Sequence, residues 1–296
     1  MLGDWITAIE GTPAAAQTAM ILALIAAVAH ATLGALQKGK HDPWLSRGAI
    51  DICASAIAVP VVFLVPPPTW DVIILLPGVM AVHFAYKWIL AMAYSRGNFT
   101  AVYPVVRGTG PLATILIAMV VFGEFFRPGQ WVGIAMLSGG IFGLAAYNLR
   151  HSRVDSPEIA AALGLAVLTG LITAAYTVID AYVIRLTPDP FTFIAWFFLL
   201  EAFNFPPFLW RRWRAATDLG PLFRRGLIGA VIAWISFGSI FLATRIDNVG
   251  EAAALRETSV VFAALIGWLA LGERIGPVRA GLMVVIALGA VFIEFG

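Results

Sequence analysis

SRGNFTAVYPVVRGTGPLATILIAMVVFGEFFRP, residues 95–128, is answered 149 positions later by TRIDNVGEAAALRETSVVFAALIGWLALGERIGP, residues 244–277. Arg96, Arg107, Gly123, Glu124 and Pro128 fall on Arg245, Arg256, Gly272, Glu273 and Pro277 without a gap. Both runs hold an apolar stretch long enough to cross a bilayer core of about 30 Å, followed by Gly-Glu. A second echo, at an offset of 147, extends the duplication toward the amino terminus. Asp42-Pro43-Trp44 meets Asp189-Pro190-Phe191, Lys38 meets Arg185, and Pro60 meets Pro207. A membrane chain built from two related halves is the usual plan of a secondary transporter, with its site where the repeats meet.

Composition agrees with that plan. The chain of 296 residues is 60% hydrophobic and 12% charged, and its mean hydropathy is +0.89. A soluble domain carries roughly twice that charge fraction. Ten spans are expected, at 17–36, 44–65, 72–94, 101–122, 129–147, 159–184, 191–210, 226–244, 252–271 and 278–295. The expected fold is an all-α integral membrane protein of ten transmembrane helices. Residues 1–149 form one five-helix repeat and residues 150–296 the other. An odd number of spans per repeat makes the halves insert with opposite orientation. Trp44, Trp70, Trp131, Trp210 and Trp213 stand at span ends, where amphipathic rings favour the headgroup level. The first residues lack a basic n-region, so no cleavable signal peptide is expected. Cys53 is the only cysteine, which excludes a disulfide within the chain and a cysteine metal site.

Loop charge predicts orientation. The connections after spans one, three, five, seven and nine carry Lys38, Lys40, Arg96, Arg150, Arg153, Arg211, Arg212, Arg214, Arg224, Arg225, Arg274 and Arg279. The other side carries Arg127, Arg185 and Arg245. The positive-inside rule then places both termini outside the cytoplasm, with the protein in the inner (cytoplasmic) membrane.

Two repeats of five spans, each with Gly-Glu after its fourth (Gly123-Glu124, Gly272-Glu273), resemble the EamA-like repeats of the drug/metabolite transporter superfamily. The resemblance covers nearly the whole chain. It implies a ten-helix carrier working by alternating access on cargo such as amino acids, amines, drugs, nucleotide sugars or sugar phosphates. The stretch Tyr103-Pro104-Val105-Val106-Arg107-Gly108 also resembles EamA-type proteins associated with phosphonate utilisation.

Ionisable groups inside spans are costly, so they face the bundle interior or a cavity. Arg107 and Arg256 are related by the repeat, and each offers a fork of donors suited to carboxylate, phosphate or phosphonate. They read either as a substrate-anion clamp or as partners of internal carboxylates. Arg107 is the stronger clamp candidate, because Glu257 adjoins Arg256 and no carboxylate adjoins Arg107. His83 and Lys87 share a face of span three at i, i+4. Their repeat counterparts are Ile232 and Ser236, so the pair is asymmetric. Lys87 is a substrate contact or a partner of Asp51 or Glu201. His83 is hydrogen-bonded scaffold, a substrate contact or a carrier of a coupling H+, since imidazole changes charge close to neutral pH. Asp51 and Glu201 read first as neutralising groups, and otherwise as contacts for a substrate ammonium or as proton carriers. Asp180, beside Tyr176 and Thr177, is the candidate contact for a substrate ammonium.

Tyr86, Tyr103, Trp196, Phe197 and Trp234 are candidate lining residues, with packing against helices and lipid as the plainer reading. Pro104 and Pro111 bracket Arg107 and free backbone carbonyls, as at many transporter sites. Gly139 and Gly143 fit close helix packing or dimerisation, so monomer and homodimer both stand. No phosphate loop, His-x-x-x-His pair or nucleophile elbow is present, so no enzyme, cofactor or nucleic-acid partner is expected. The leading reading is a secondary transporter of a small zwitterionic or anionic metabolite, an amino acid or a phosphonate- or carboxylate-like molecule. An exporter of organic cations or drugs is one alternative. A membrane-embedded enzyme acting on a lipid phosphate is another.

Overall fold

The repeated Asp-Pro is a helix start in both halves. Asp42 Oδ1 accepts from the Trp44 amide at 2.8 Å, and Asp189 Oδ1 accepts from the Phe191 amide at 3.0 Å. The following proline stands in the first turn, where its missing N–H costs nothing. The computed structural model describes residues 2–37, 42–96, 99–151, 157–271 and 276–296. Gly272-Glu273, Lys38, Lys40, Arg153 and Arg274 lie outside the described residues.

The first half holds α1 (Asp4–Thr7), α2 (Pro13–Gln37), α3 (Pro43–Val61), α4 (Trp70–Arg96), α5 (Phe99–Val121) and α6 (Pro128–His151). The second holds α7 (Pro157–Leu186), α8 (Pro190–Asn204), a 3₁₀ turn (Pro206–Leu209), α9 (Trp210–Ala215), α10 (Leu219–Ile246), α11 (Val249–Arg256), α12 (Ser259–Leu271) and α13 (Pro277–Phe295). Among the described residues, ten helical stretches are long and apolar enough to span a membrane, as expected. Two of them are discontinuous: α8 to α9 is interrupted at Pro206-Pro207, and α11 to α12 at Glu257-Thr258. Large apolar side chains face outward, with Phe63 83% and Val120 86% exposed. That surface suits lipid and would be a liability in water.

Chain contacts group the helices into two compact units that cut across the sequence halves. Unit 1 comprises Met1–Phe84 and Ile179–Asp247; unit 2 comprises Ala85–Val178 and Asn248–Gly296. In unit 1, α10 packs on α2 and α3, and α3 on α8. In unit 2, α6 packs on α13 and on α5, and α5 packs on α11. The close approach of α6 and α13 runs through Gly133 and Gly140 on α6. A Cβ on Gly133 would lie 2.6 Å from the Gly289 carbonyl, and one on Gly140 2.6 Å from Ile286. Of the glycine pair singled out in the sequence, Gly143 would meet Leu282 and Gly139 meets nothing within 4 Å. The packing stripe is therefore shifted from that pair.

The threonine hydroxyls of α7 are satisfied inside the helix. Thr169, Thr173 and Thr177 each donate to the carbonyl four residues earlier, at 2.7, 2.9 and 2.8 Å. This is how a hydroxyl is tolerated where water is scarce. Of the five tryptophans expected at span ends, Trp70, Trp131 and Trp210 are exposed. Trp44 instead stacks on Phe205, and Trp213 on Phe223.

Candidate functional site

Arg107 lies on α5 and Glu257 at the end of α11, two elements that pack together in unit 2. Arg107 Nη1 donates to Glu257 Oε1 at 2.9 Å, with the two side chains 5% and 2% exposed. Arg256 Nε stands 3.9 Å from the same oxygen. The carboxylate that adjoins Arg256 in sequence is thus the closer partner of Arg107. Arg107, which has no carboxylate beside it in sequence, has one in space. The reason is the helix break. Glu257 N and Thr258 N donate to Ala254 O and Leu255 O, three residues back, and the Thr258 hydroxyl donates to Leu255 O at 2.7 Å. The chain tightens there before α12 begins, and Glu257 reaches α5.

The interruption itself was expected in span four, at Pro104 and Pro111. Yet α5 is helical throughout with both prolines inside it. The structure puts the break in span nine, where no proline stands. Pro111 removes the amide that would bond the Arg107 carbonyl, but the helix continues around it.

Two guanidinium groups and one carboxylate leave this buried trio with an excess of one positive charge. Its hydrogen bonding is incomplete as well. Arg107 Nη2, Arg256 Nε and Glu257 Oε2 are buried and make no hydrogen bond. The Arg107 guanidinium lies 5.5 Å over the Tyr103 ring, a cation–π geometry. Buried donors without acceptors are costly, so such a cluster favours an incoming anionic group. Also in unit 2, Lys87 is buried and Tyr86 meets Tyr176 edge-to-face at 5.1 Å.

The remaining candidates belong to unit 1. His83 Nε2 and Asp180 Oδ2 are 2.9 Å apart, both side chains 1% exposed. Glu201 is buried on α8. Trp234 donates from Nε1 to the Ala54 carbonyl at 3.1 Å and stacks on Phe198 at 4.3 Å, which ties α10 to α3 and α8. Trp196 is half-buried, and its indole Nε1 is buried without a hydrogen bond. Asp51 has Arg47, one turn earlier on α3, at 3.1 Å, a neighbour the sequence reading passed over.

The Gly-Glu motif also gains a role that sequence reasoning missed. Gly123 adopts a left-handed φ of 67°, which turns the chain out of α5. The Glu124 carboxylate then accepts from the amides of Val249 and Gly250, at 2.6 and 2.9 Å, and caps the start of α11. Next to it, Gln130 Nε2 donates to Glu251 Oε1 at 2.6 Å and to the Ile293 carbonyl at 2.9 Å. The gap-free repetition of Gly-Glu was the signal that marked Gly123 and Glu124.

Among known proteins, the EamA-like transporter family matches at residues 17–146 and again at 160–295. Among solved structures, one described only as the crystal structure of a protein superposes with a TM-score of 0.78 at 17% identity. The match covers 94% of this chain and 98% of that one. At that identity the likeness speaks for the fold alone. No curated protein matches.

Proposed function

Because the chain belongs to the EamA-like transporter family, it is a multi-pass membrane transporter of the drug/metabolite type, and we propose that it carries a small zwitterionic or anionic metabolite by alternating access. The supporting observation is the trio of Arg107, Arg256 and Glu257. Its excess positive charge and its open guanidinium donors suit a carboxylate, phosphate or phosphonate group. The free Glu257 oxygen adds an acceptor that an ammonium on the same molecule would satisfy. Arg107 is the principal anion contact in this reading, and Tyr103 flanks it. A cation exporter draws no comparable support from the charge balance of this cluster, and the family match speaks for a transporter rather than an enzyme acting on a lipid phosphate. Residence in the cytoplasmic membrane with both termini outside the cytoplasm completes the proposal.

The test is a thermal-shift screen of the purified protein with amino acids, phosphonates, sugar phosphates and polyamines, followed by counterflow in proteoliposomes. Anionic or zwitterionic compounds are expected to stabilise the protein and to exchange across the vesicle. Stabilisation and counterflow by polyamines alone would overturn the substrate class.

A further inference from the structure

The arginine trio leaves unused a second buried titratable group, the His83–Asp180 pair on α4 and α7. The 2.9 Å contact joins two side chains that are each almost wholly buried. The imidazole has the edge of Phe197 on α8 at 4.8 Å and of Phe237 on α10 at 6.3 Å. Aspartate next to a neutral imidazole carries one negative charge. One added proton makes the pair neutral as a whole, whichever of the two groups holds it. Inside a buried site that difference weighs more than in water. Besides the pair, α4 carries the titratable side chains Asp71, Tyr86, Lys87, Tyr94 and Arg96, α7 carries Glu158, Tyr176, Tyr182 and Arg185, α8 carries Glu201, and α10 carries Arg224, Arg225 and Arg245.

Both residues belong to unit 1, where the contact ties α4 to α7.

We propose that His83 and Asp180 form the site at which this carrier binds its coupling ion, a proton. The assignment rests on the reading of the chain as a secondary transporter. In the unprotonated state the imidazole Nε2–H donates to the Asp180 carboxylate. Uptake of one proton from water gives imidazolium against carboxylate, or imidazole against carboxylic acid. Release on the opposite side of the membrane restores the starting pair, and no other bond is made or broken.

Proton uptake by the full-length protein in detergent, followed with a pH indicator after an acid jump, measures the site without any substrate. Wild type is expected to take up one proton more than the double variant His83→Gln/Asp180→Asn, which leaves neither group to hold it. Equal uptake by wild type and the well-folded double variant overturns the proposal. If the double variant fails to fold, nuclear magnetic resonance of isotope-labelled wild type decides the point in the same sense: the ring signals of His83 or the carboxyl signal of Asp180 should move over the acid titration, and signals of both that stay fixed overturn the proposal. Any compound that exchanges in the counterflow assay then supplies the second readout. The double variant should lose accumulation driven by a pH gradient while keeping counterflow at equal pH. Gradient-driven accumulation that survives in it overturns the coupling role. Loss of counterflow in wild type for every compound would instead sink the transporter reading and leave the proton count to speak for the site.

Discussion

Arg107 and Glu257 show how a buried ion pair and a binding site can be one object. Breaking a buried pair by removing one partner costs about 3–5 kcal/mol, because the other charge is stranded. Glu257→Gln should therefore destabilise the protein more than the double variant Arg107→Gln/Glu257→Gln, as read by thermal unfolding in detergent. Equal melting temperatures would show that the pair is solvated and unimportant to the fold. Arg107→Lys keeps the charge and loses the fork. A lost charge-assisted, bidentate contact is worth on the order of 1.5–3 kcal/mol, so transport should fall roughly tenfold or more while the protein still inserts and purifies. Normal transport by Arg107→Lys, together with failure of Arg107→Ala to fold, would make Arg107 a structural partner and nothing more. The sequence marked Arg107, Arg256 and Glu257 as unusual, since charge in an apolar run is legible locally. The partnership across 150 positions was not legible, because the adjacent Arg256 is the partner the sequence offers for Glu257, whereas in space Arg107 is the closer of the two.

Helix ends were read more successfully than helix breaks. The Asp-Pro starts of α3 and α8 follow from local chemistry, an oxygen for the first amides and a ring that needs none. The break after Arg256 has no such marker, for Glu257-Thr258-Ser259 contains neither proline nor glycine. It depends on packing of α11 against α5 and on the Thr258 hydroxyl bonding to its own turn. Conversely, Pro104 and Pro111 advertise a break that α5 does not make. The start of α11 gives a test at this level. Its first amides are satisfied by Glu124, from a connection 125 positions away. Removing that carboxylate in Glu124→Ala should lower stability by about 1–3 kcal/mol, since buried amides would be left bare. Gly250→Ala should also destabilise, because its Cβ would lie 2.7 Å from the Phe126 ring and 3.2 Å from Glu124 Oε2. Thermal unfolding of each variant checks this pair, and a wild-type melting temperature for Gly250→Ala would show that the close approach carries no weight.

For the whole molecule, the ten spans were legible because hydropathy sums locally over about twenty residues. The two compact units were not, since each draws segments from both halves and so depends on long-range packing. Orientation can be argued from charge and contacts together. Twelve Lys and Arg on one set of connections oppose three on the other. Within unit 1 the contacts agree with the sides this assigns. Arg212, after span seven, meets Asp42, after span one, at 2.5 Å, and Arg225 at the start of span eight donates to the Leu36 carbonyl at 2.6 Å. On the sparse side, Arg185 donates to the Thr244 and Asp247 carbonyls, while Arg245 reaches the Ile184 and Thr187 carbonyls and Glu10. Arg185 and Arg245 are thus occupied in holding helix ends, which leaves them little part in retaining loops against the cytoplasm. The basic face, including α9 with Arg211, Arg212 and Arg214, should therefore lie in the cytoplasm and Gly296 outside it. A reporter that is active only outside the cytoplasm, fused after Gly296, should be active, and a fluorescent protein that matures only inside should be dark. The opposite pair of results would mean that insertion overrode a four-to-one charge bias.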